Sequence, residues 1–228
     1  MSLEKGIYEQ VLNNEVKKDI SSLTGLTAIK KEMDDESSSI LISQYVESVV
    51  RKILEDKSNV QDKVEIANKL IAQLSSSYPE YDLDSKIIDT KGEALMEVRD
   101  ERINTKNLER PESSLVTSKL FSGDNGDKLK DEFRKEIVSA DSIDMLVSFI
   151  KVSGIALIRD KLNEFANKGG KLRVVCTTYT GATDANAVKE ISELPNAEVK
   201  ISYDTKHTRL HAKAYMFRRK SGFDTAYI

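Results

Sequence analysis

The first third of the chain carries three stripes of apolar residues at helical spacing. The stripes run from residue 7 to 20, from 42 to 53 and from 60 to 74, with an apolar residue every three or four positions. This spacing predicts three amphipathic helices, the last of which ends before Pro79 because proline cannot continue a helix. Since each stripe needs a partner to cover it, we expect the helices to pack on one another as a small bundle without chemistry of its own.

From about residue 119 the pattern changes to strands alternating with helices. Short apolar or alternating runs predict strands, and apolar residues three or four apart predict helices between them. The predicted strands are 143–150, 172–176, 197–203, 210–217 and one that begins at 223, and the predicted helices are 129–137, 155–165 and 184–194. Strands separated by helices indicate a largely parallel sheet with flanking helices, and the closing hairpin makes the sheet mixed. The predicted fold class is therefore α+β or α/β: a small helical domain followed by an α/β mixed sheet.

The boundary between the two domains is predicted at residue 105. Residues 80–118 are rich in Asp and Glu, poor in apolar residues and contain Pro111, so they are interpreted as a connector. We expect a helical N-terminal domain with this connector at 1–105 and the α/β domain at 106–228. Ile228 falls within the last predicted strand, which leads us to expect a piece of a longer protein.

The cysteine and histidine counts narrow the possible chemistry. The chain has one cysteine, Cys176, and two histidines. An internal disulfide and a cysteine-based zinc cluster are therefore excluded, and most zinc sites are disfavoured. A chain without disulfides fits a reducing cytoplasm. No apolar run reaches the length of a membrane span, and no Gly-Lys-Ser/Thr loop could cradle the phosphates of ATP. We predict no metal and no cofactor.

The pattern with the clearest chemical meaning is Arg-Leu-His-Ala-Lys-Ala-Tyr-Met-Phe at 209–217. Alternate residues of a strand share a face, so His211 and Lys213 point the same way as Tyr215 and Phe217, and the intervening residues are expected to face the core. A His and a Lys so placed can reach one phosphate, the imidazole as nucleophile and the ammonium as a ligand of the phosphate oxygens. The alternative is an ordinary strand with a partly buried histidine and an exposed lysine.

Two further segments are candidates for substrate binding. The loop at 177–183 connects a predicted strand to a helix, where open α/β sheets bind ligands. Thr178 is a candidate contact there, and Tyr179 could stack on a base. An ordinary polar loop is the alternative. Arg209 either contacts substrate phosphates or is simply exposed, and His207 is interpreted as a solvated loop residue.

The distribution of charge favours a polyanionic substrate. The net charge of −3 combines a net of −7 in residues 1–105 (14 Lys and Arg against 21 Asp and Glu) with +4 in residues 106–228 (21 against 17). Seven basic residues and a single acid, Asp204, lie within 200–220. A basic cluster around a candidate His and Lys suggests a polyanionic substrate, and a solvated charged face is the alternative.

The His-x-Lys segment and its flanks resemble the phospholipase D superfamily. Residues 142–150 (SIDMLVSFI) resemble the first strand of that fold, and residues 171–184 (KLRVVCTTYTGATD) resemble its second strand and following loop. Residues 203–228 are similar to the N-terminal nuclease-like module of multidomain bacterial DEAD/DEAH-box helicases. The opening at 6–9 (GIYE) and the stripe at 40–54 are similar to the small helical domain that precedes that module. The resemblance covers nearly the whole chain.

The resemblance implies metal-independent phosphodiester cleavage in two steps. The nucleophilic histidine, His211 here, forms a phosphohistidine, a histidine from a second motif protonates the leaving oxygen, and water then releases the phosphate. One motif per chain implies a homodimer that completes the active site. The likeness to helicase modules implies DNA as the substrate and helicase domains downstream in the full-length protein.

The sequence departs from the family pattern at two points. An Asp is usual at position 218, where Arg218 stands, and the next acid, Asp224, is either a turn residue or a partner that orients His211. The Gly-Ser and Asn elements of the family would follow Ile228. The second hypothesis is therefore a catalytically degenerate domain that serves as a nucleic-acid-binding module. Lipid hydrolysis is disfavoured, because the sequence has no membrane-directed amphipathic stretch.

Overall fold

The structure, a computed structural model, describes residues 3–98, 110–112, 118–121, 129–179, 181–207 and 209–228. The chain divides into two compact units, Met1–Arg99 and Asp100–Ile228. The predicted boundary between residues 105 and 106 lies outside the described residues, and the division at that residue stays a prediction.

The first unit is helical, as its apolar stripes predict. Its helices are α1 (Asn14–Ser21), α2 (Asp35–Glu55) and α3 (Val60–Ser77), followed by 3₁₀ turns at Pro79–Tyr81 and Leu83–Lys86. Each α-helix begins after a residue whose side chain accepts a hydrogen bond from the backbone of the first turn: Asn13 from Val16, Asp34 from Ser37 and Asn59 from Asp62. Helix α3 ends at the residues before Pro79, as expected.

The helices of this unit do not cover one another as predicted. Within the described helices of the unit only Val64 of α3 is buried, and the stripe of α2 is exposed at Ile42, Val46, Val49 and Ile53. Helix α3 is tied instead to the chain that follows it. Asn68 exchanges two hydrogen bonds of 2.8 Å with the backbone of Ile88, while Val60 and Leu74 of the α3 stripe are half exposed.

The second unit is a five-stranded mixed sheet with helices packed on it. Its elements are α4 (Leu129–Ser139), β1 (Ser142–Val147), α5 (Val152–Ala156), α6 (Arg159–Asn167), β2 (Lys171–Thr177), α7 (Ala185–Ser192), β3 (Ala197–Ser202), β4 (Lys213–Arg218) and β5 (Thr225–Tyr227). The strand order is β3-β2-β1-β4-β5. Strands β1, β2 and β3 are parallel, while β4 pairs antiparallel with β1 and with β5. The predicted fold class, helices followed by a mixed sheet with flanking helices, is confirmed.

One face of the sheet forms the hydrophobic core. Alternate residues of β1 and β2 point to the helices, which contribute side chains from α4, α5, α6 and α7. The core residues include Ile143, Met145, Val147, Leu172, Val174 and Cys176 from the strands and Phe133, Ile137, Leu162, Phe165 and Ile191 from the helices. The lone cysteine is fully buried, and burial raises the pKa of its thiol. Cys176 is therefore a packing residue.

The opposite face of the sheet is open within the described residues. Leu146, Val175 and Met216 are each between 37% and 40% exposed there, and they line a shallow groove of about 470 Å³. Largely parallel sheets usually have both faces covered. In this sheet, by contrast, the described helices cover one face only.

Strand β4 turns its core face in the direction opposite to the prediction. The register pairs Phe217 with Ile143 and Tyr215 with Met145, which places both aromatic rings on the helix-covered face. The ring of Phe133 lies 4.8 Å from that of Tyr215 and 5.5 Å from that of Phe217, in edge-to-face geometry. Two aromatic rings bury far more area than the alanines at the intervening positions. The predicted alternation along the strand is therefore right, and the predicted core face is wrong.

A buried charge network fastens the β4–β5 hairpin to α4. Glu136 has no exposed surface and accepts hydrogen bonds from the guanidinium of Arg219, from Thr225 Oγ1 at 2.7 Å and from the Tyr227 hydroxyl at 2.6 Å. The side chain of Arg219 is only 7% exposed. Since burial of an unpaired charge is strongly unfavourable, this network fixes the hairpin in one position against the helix.

Candidate functional site

The candidate His and Lys lie at the edge of the sheet where the parallel strands end. Strands β1, β2 and β3 run the same way, so their carboxyl ends share one edge. Strand β4 runs against β1, and its first residue, Lys213, pairs with the last residue of β1, Val147. This edge is where open α/β sheets bind their ligands.

The backbone between His211 and Lys213 is fixed by Ser148. Both the backbone amide and the hydroxyl of Ser148 donate to the carbonyl oxygen of Ala212, at 2.8 and 3.1 Å. Ser148 is 1% exposed, so water does not compete well for these bonds. The strand begins at Lys213 rather than at the predicted position 210, but these bonds keep residues 211–213 alongside the end of β1.

The side chains of His211 and Lys213 are both exposed. Within the described residues, no hydrogen bond or ion pair joins either side chain to another residue. The imidazole and the ammonium are therefore open to a ligand, and they start from backbone positions that are two residues apart and held in place.

The loop after β2 is tied to the end of β3. The hydroxyl of buried Thr177 donates to the carbonyl of Ser202 at 3.1 Å and accepts from the amide of Tyr179 at 3.0 Å. The amide of Thr178 donates to the same carbonyl at 3.1 Å, and the Thr183 hydroxyl donates to the Thr177 carbonyl at 2.7 Å. These bonds give Tyr179 a defined backbone position at the ligand-binding edge.

The structure brings two of the predicted substrate-binding residues together. The guanidinium carbon of Arg209 lies 5.4 Å from the centre of the Tyr179 ring, within the range of a cation–π contact. The third predicted residue, Thr178, lies one position before Tyr179, and its hydroxyl is 3.5 Å from the Ser202 carbonyl. Arg209 is exposed and Tyr179 is half-buried, so the pair has an open side.

Basic residues outnumber acids at this edge. Lys151, beyond the end of β1, joins Lys206, Arg209 and Lys213 as a fourth cation in segments that meet at the edge. Its ammonium lies 3.4 Å from Asp184, whose pKa is lowered by a hydrogen bond from the backbone amide of Val152. Sequence reasoning missed both Ser148 and Lys151. Ser148 interrupts the apolar run at 143–150, and Lys151 directly follows it. Polar residues at the end of a predicted strand could have indicated both.

The other histidine belongs to a solvent-exposed turn. The side chain of His207 is 87% exposed, and its Nδ1 lies 3.5 Å from Asp204 Oδ1. Asp204 also accepts from the backbone amides of Lys206 and His207, at 3.0 and 2.9 Å. The interpretation of His207 as a solvated loop residue agrees with this position.

Residues 218 and 224 lie at the opposite end of β4. Arg218 pairs with Ser142, the first residue of β1, and a strand of six residues spans roughly 17 Å. Asp224 accepts from the Arg219 amide at 2.8 Å and is a residue of the hairpin turn. Neither Arg218 nor Asp224 therefore contacts His211, so the expectation that Asp224 could orient His211 is wrong.

Arg218 has a partner of its own on the open face. Its Nη1 lies 2.5 Å from Asp144 Oδ2, and Arg173 forms a two-pronged contact with the same carboxylate at 2.6 and 2.8 Å. The hydrogen bond from Arg173 and the charge of both guanidinium groups hold the pKa of Asp144 below its usual value. The role of position 218 in this chain is structural.

In the parts of the chain that are described, no group of three or more His, Cys, Asp or Glu side chains could hold a metal ion. No described helix combines the length and the apolar character needed to cross a bilayer.

Comparison with known proteins gives a sparse result. No family model matches the chain, and no curated protein matches it. Among solved structures, NucT from Helicobacter pylori is similar over 38% of this chain and 58% of its own, with 14% sequence identity and a TM-score of 0.31. The chain thus spans somewhat more than half the length of that protein.

Proposed function

We propose that this chain carries half of a metal-independent phosphodiesterase site that cleaves DNA, with His211 as nucleophile and Lys213 as phosphate ligand. The observation that carries the proposal is the backbone of 211–213. It is held by buried Ser148 at the ligand-binding edge of the sheet, with both side chains exposed and without partners among the described residues. The surrounding cations, Lys151, Lys206 and Arg209, match a polyanionic substrate.

The proposed reaction exchanges one phosphodiester bond for a phosphohistidine and then for a phosphomonoester. An unprotonated imidazole nitrogen of His211 attacks phosphorus, a P–N bond forms and the P–O bond to the leaving nucleotide breaks. Lys213 stabilises the negative charge on the non-bridging oxygens. A general acid protonates the leaving oxygen, and water then attacks phosphorus, breaks the P–N bond and regenerates the histidine.

The general acid is proposed to come from a second copy of the chain. His207, the other histidine of this chain, is held in a turn by Asp204. A homodimer that brings two copies of His211 to one phosphate would supply the nucleophile from one chain and the acid from the other. The full-length protein is proposed to contain helicase domains downstream, a proposal that rests on the similarity of residues 203–228 to helicase-linked modules.

A binding module without catalysis is the second candidate. The observation that favours it is that no described carboxylate or carbonyl contacts the His211 imidazole, whereas a catalytic histidine is usually oriented by such a partner. The same cations would then hold nucleic acid for other domains.

Cleavage of labelled single- and double-stranded DNA in excess EDTA separates the two candidates. The full-length protein is compared with its His211→Ala and Lys213→Ala variants and with His207→Ala, which removes the other histidine as a matched control. The proposal expects chelator-resistant cutting that is lost in the first two variants and kept in the third. Binding without cutting by every form would favour the binding module, and cutting that survives His211→Ala would place the chemistry elsewhere.

A further inference from the structure

Arg209 and Tyr179 form a cation–π pair at the edge of the sheet. The guanidinium carbon lies over the ring, 5.4 Å from its centre, and the backbone of Tyr179 is held by the Thr177 hydroxyl, which also binds the end of β3. In the described residues Arg209 forms no ion pair, and its side chain is exposed. The outer face of the guanidinium and its N–H donors are thus open to a ligand.

We propose that Arg209, held over the ring of Tyr179, forms with it a platform for an unpaired base, so that the site selects single-stranded over double-stranded nucleic acid. The proposal rests on the proposed function, because it assigns a substrate class to the same edge of the sheet. A planar guanidinium stacks on an aromatic ring and on a base alike, and it can also donate to the adjacent phosphate.

The spacing along the chain places this platform beside the reacting group. Arg209 precedes His211 by two residues, and two residues of extended chain span at most about 7 Å. A phosphate at His211 would therefore have the base of a neighbouring nucleotide within reach of Arg209. Fixing one base next to the reacting phosphate restricts its position, which is the condition for efficient attack.

A base in duplex DNA can reach the platform only at the free-energy cost of unstacking and unpairing. Both faces of a paired base are covered by its neighbours, and extruding it requires unstacking and unpairing. A single strand already has bases that can turn outward, and stacking tolerates any sequence because every base has a π-face. The platform therefore predicts selectivity for strandedness without selectivity for sequence.

The test is a binding measurement on an uncut substrate. The full-length protein with His211→Ala is titrated by fluorescence anisotropy against three probes: a single strand of mixed sequence, an abasic strand of the same length and charge, and a duplex of the same sequence. We expect the single strand to bind roughly 5- to 150-fold more tightly than the abasic strand, the range of one stacked base, and the duplex to bind more weakly than the single strand.

Variants assign the effect to the platform. Tyr179→Leu should remove the preference for the single strand over the abasic strand, and Tyr179→Phe should keep it. Arg209→Lys keeps the charge but loses the plane, and should reduce the preference. Tyr203→Leu removes another exposed tyrosine close to the same edge and should leave the preference unchanged. Unaltered binding of the abasic strand shows that a variant remains folded.

Three outcomes decide the proposal. Equal binding of the normal and abasic strands overturns it and reduces Arg209 to a phosphate contact, and equal binding of duplex and single strand overturns the strand selectivity. A preference that survives Tyr179→Leu also overturns it. Because these probes are not cut, the two proposals can fail separately. A protein that stacks bases but never cleaves DNA would overturn the proposed function and support the platform. A protein that cleaves DNA but binds normal and abasic strands equally would support the proposed function and overturn the platform.

Discussion

Replacing Arg219 with methionine should destabilise the α/β unit by about 3–5 kcal/mol, because it leaves Glu136 buried without its counter-charge. The substitution removes the guanidinium bonds to Glu136 and to the Ser139 hydroxyl, the latter 2.7 Å long. It also removes a 2.8 Å bond to the carbonyl of Phe223 in the hairpin turn. Two neutral donors, Thr225 and Tyr227, still reach the carboxylate, so the loss is that of the charge partner.

A double variant separates the charge from the packing. Adding Glu136→Gln to Arg219→Met removes the buried charge. The amide oxygen of the glutamine keeps an acceptor for one of the two hydroxyls, Thr225 or Tyr227, and its NH2 group can donate to the other. The double variant should therefore be more stable than Arg219→Met alone, although it carries one more substitution. Arg134→Met is the matched control, since Arg134 is half-buried and its partner Asp160 is exposed (28% and 61%), and ion pairs that water reaches contribute about 0–1 kcal/mol.

The assay is urea unfolding followed by far-ultraviolet circular dichroism, because the chain has no tryptophan. Hydrogen exchange of the β5 amides reports separately on opening of the hairpin. A loss for Arg219→Met no larger than that for Arg134→Met would refute the reasoning, since it would mean that the Glu136 carboxylate is solvated in the folded protein. So would a double variant that is less stable than Arg219→Met.

Three further predictions test other parts of the structure. The Arg134 guanidinium lowers the pKa of Asp160 from 3.8 to about 2. The stability that this carboxylate contributes is therefore complete above about pH 4 and is lost as the pH falls through 2. In an NMR titration Arg134→Met should return the pKa of Asp160 to near 3.8, and an unchanged pKa would contradict the contact. Gly170→Ala places a Cβ 2.3 Å from a ring carbon of Phe165 and should destabilise the fold by about 1–3 kcal/mol in urea unfolding, whereas no loss would show that the ring can move aside. Ser148→Ala should lower the rate of DNA cleavage by about 10-fold with little change in DNA affinity. The reason is that a small misplacement of His211 and Lys213 affects the reaction more than binding. An affinity loss of the same size would argue against a positioning role.

The spacing of apolar residues predicted the elements of the fold because the buried face of each helix or strand sets the period of apolar residues along its own sequence. The short apolar run at 172–176 and the helical stripe at 155–165 are local patterns, and they appear in the structure as β2 and as helices α5 and α6. The parallel pairing of β1, β2 and β3 and the antiparallel hairpin of β4 and β5 also followed, since strands separated by helices favour parallel pairing and a short turn favours a hairpin.

What the sequence could not supply depends on partners that are distant along the chain. The core face of β4 was decided by Phe133 on α4, which packs on Tyr215 and Phe217. Both faces of that strand contain apolar residues, so periodicity alone left the choice open. From the sequence alone, Glu136 would be expected at the protein surface, because its partner Arg219 reaches it only when the hairpin packs on α4. The contact of Arg209 with Tyr179 joins two loops whose conformations no local pattern encodes.

The role of His211 as nucleophile is best tested by looking for the covalent intermediate. The full-length protein is mixed with a single-stranded oligonucleotide in EDTA, quenched under alkaline conditions that preserve phosphohistidine, digested and analysed by mass spectrometry. We expect a nucleotide adduct on the peptide that contains His211, which should remain in His207→Ala and be absent in His211→Ala. Cleavage without any adduct, or an adduct on another residue, would contradict it.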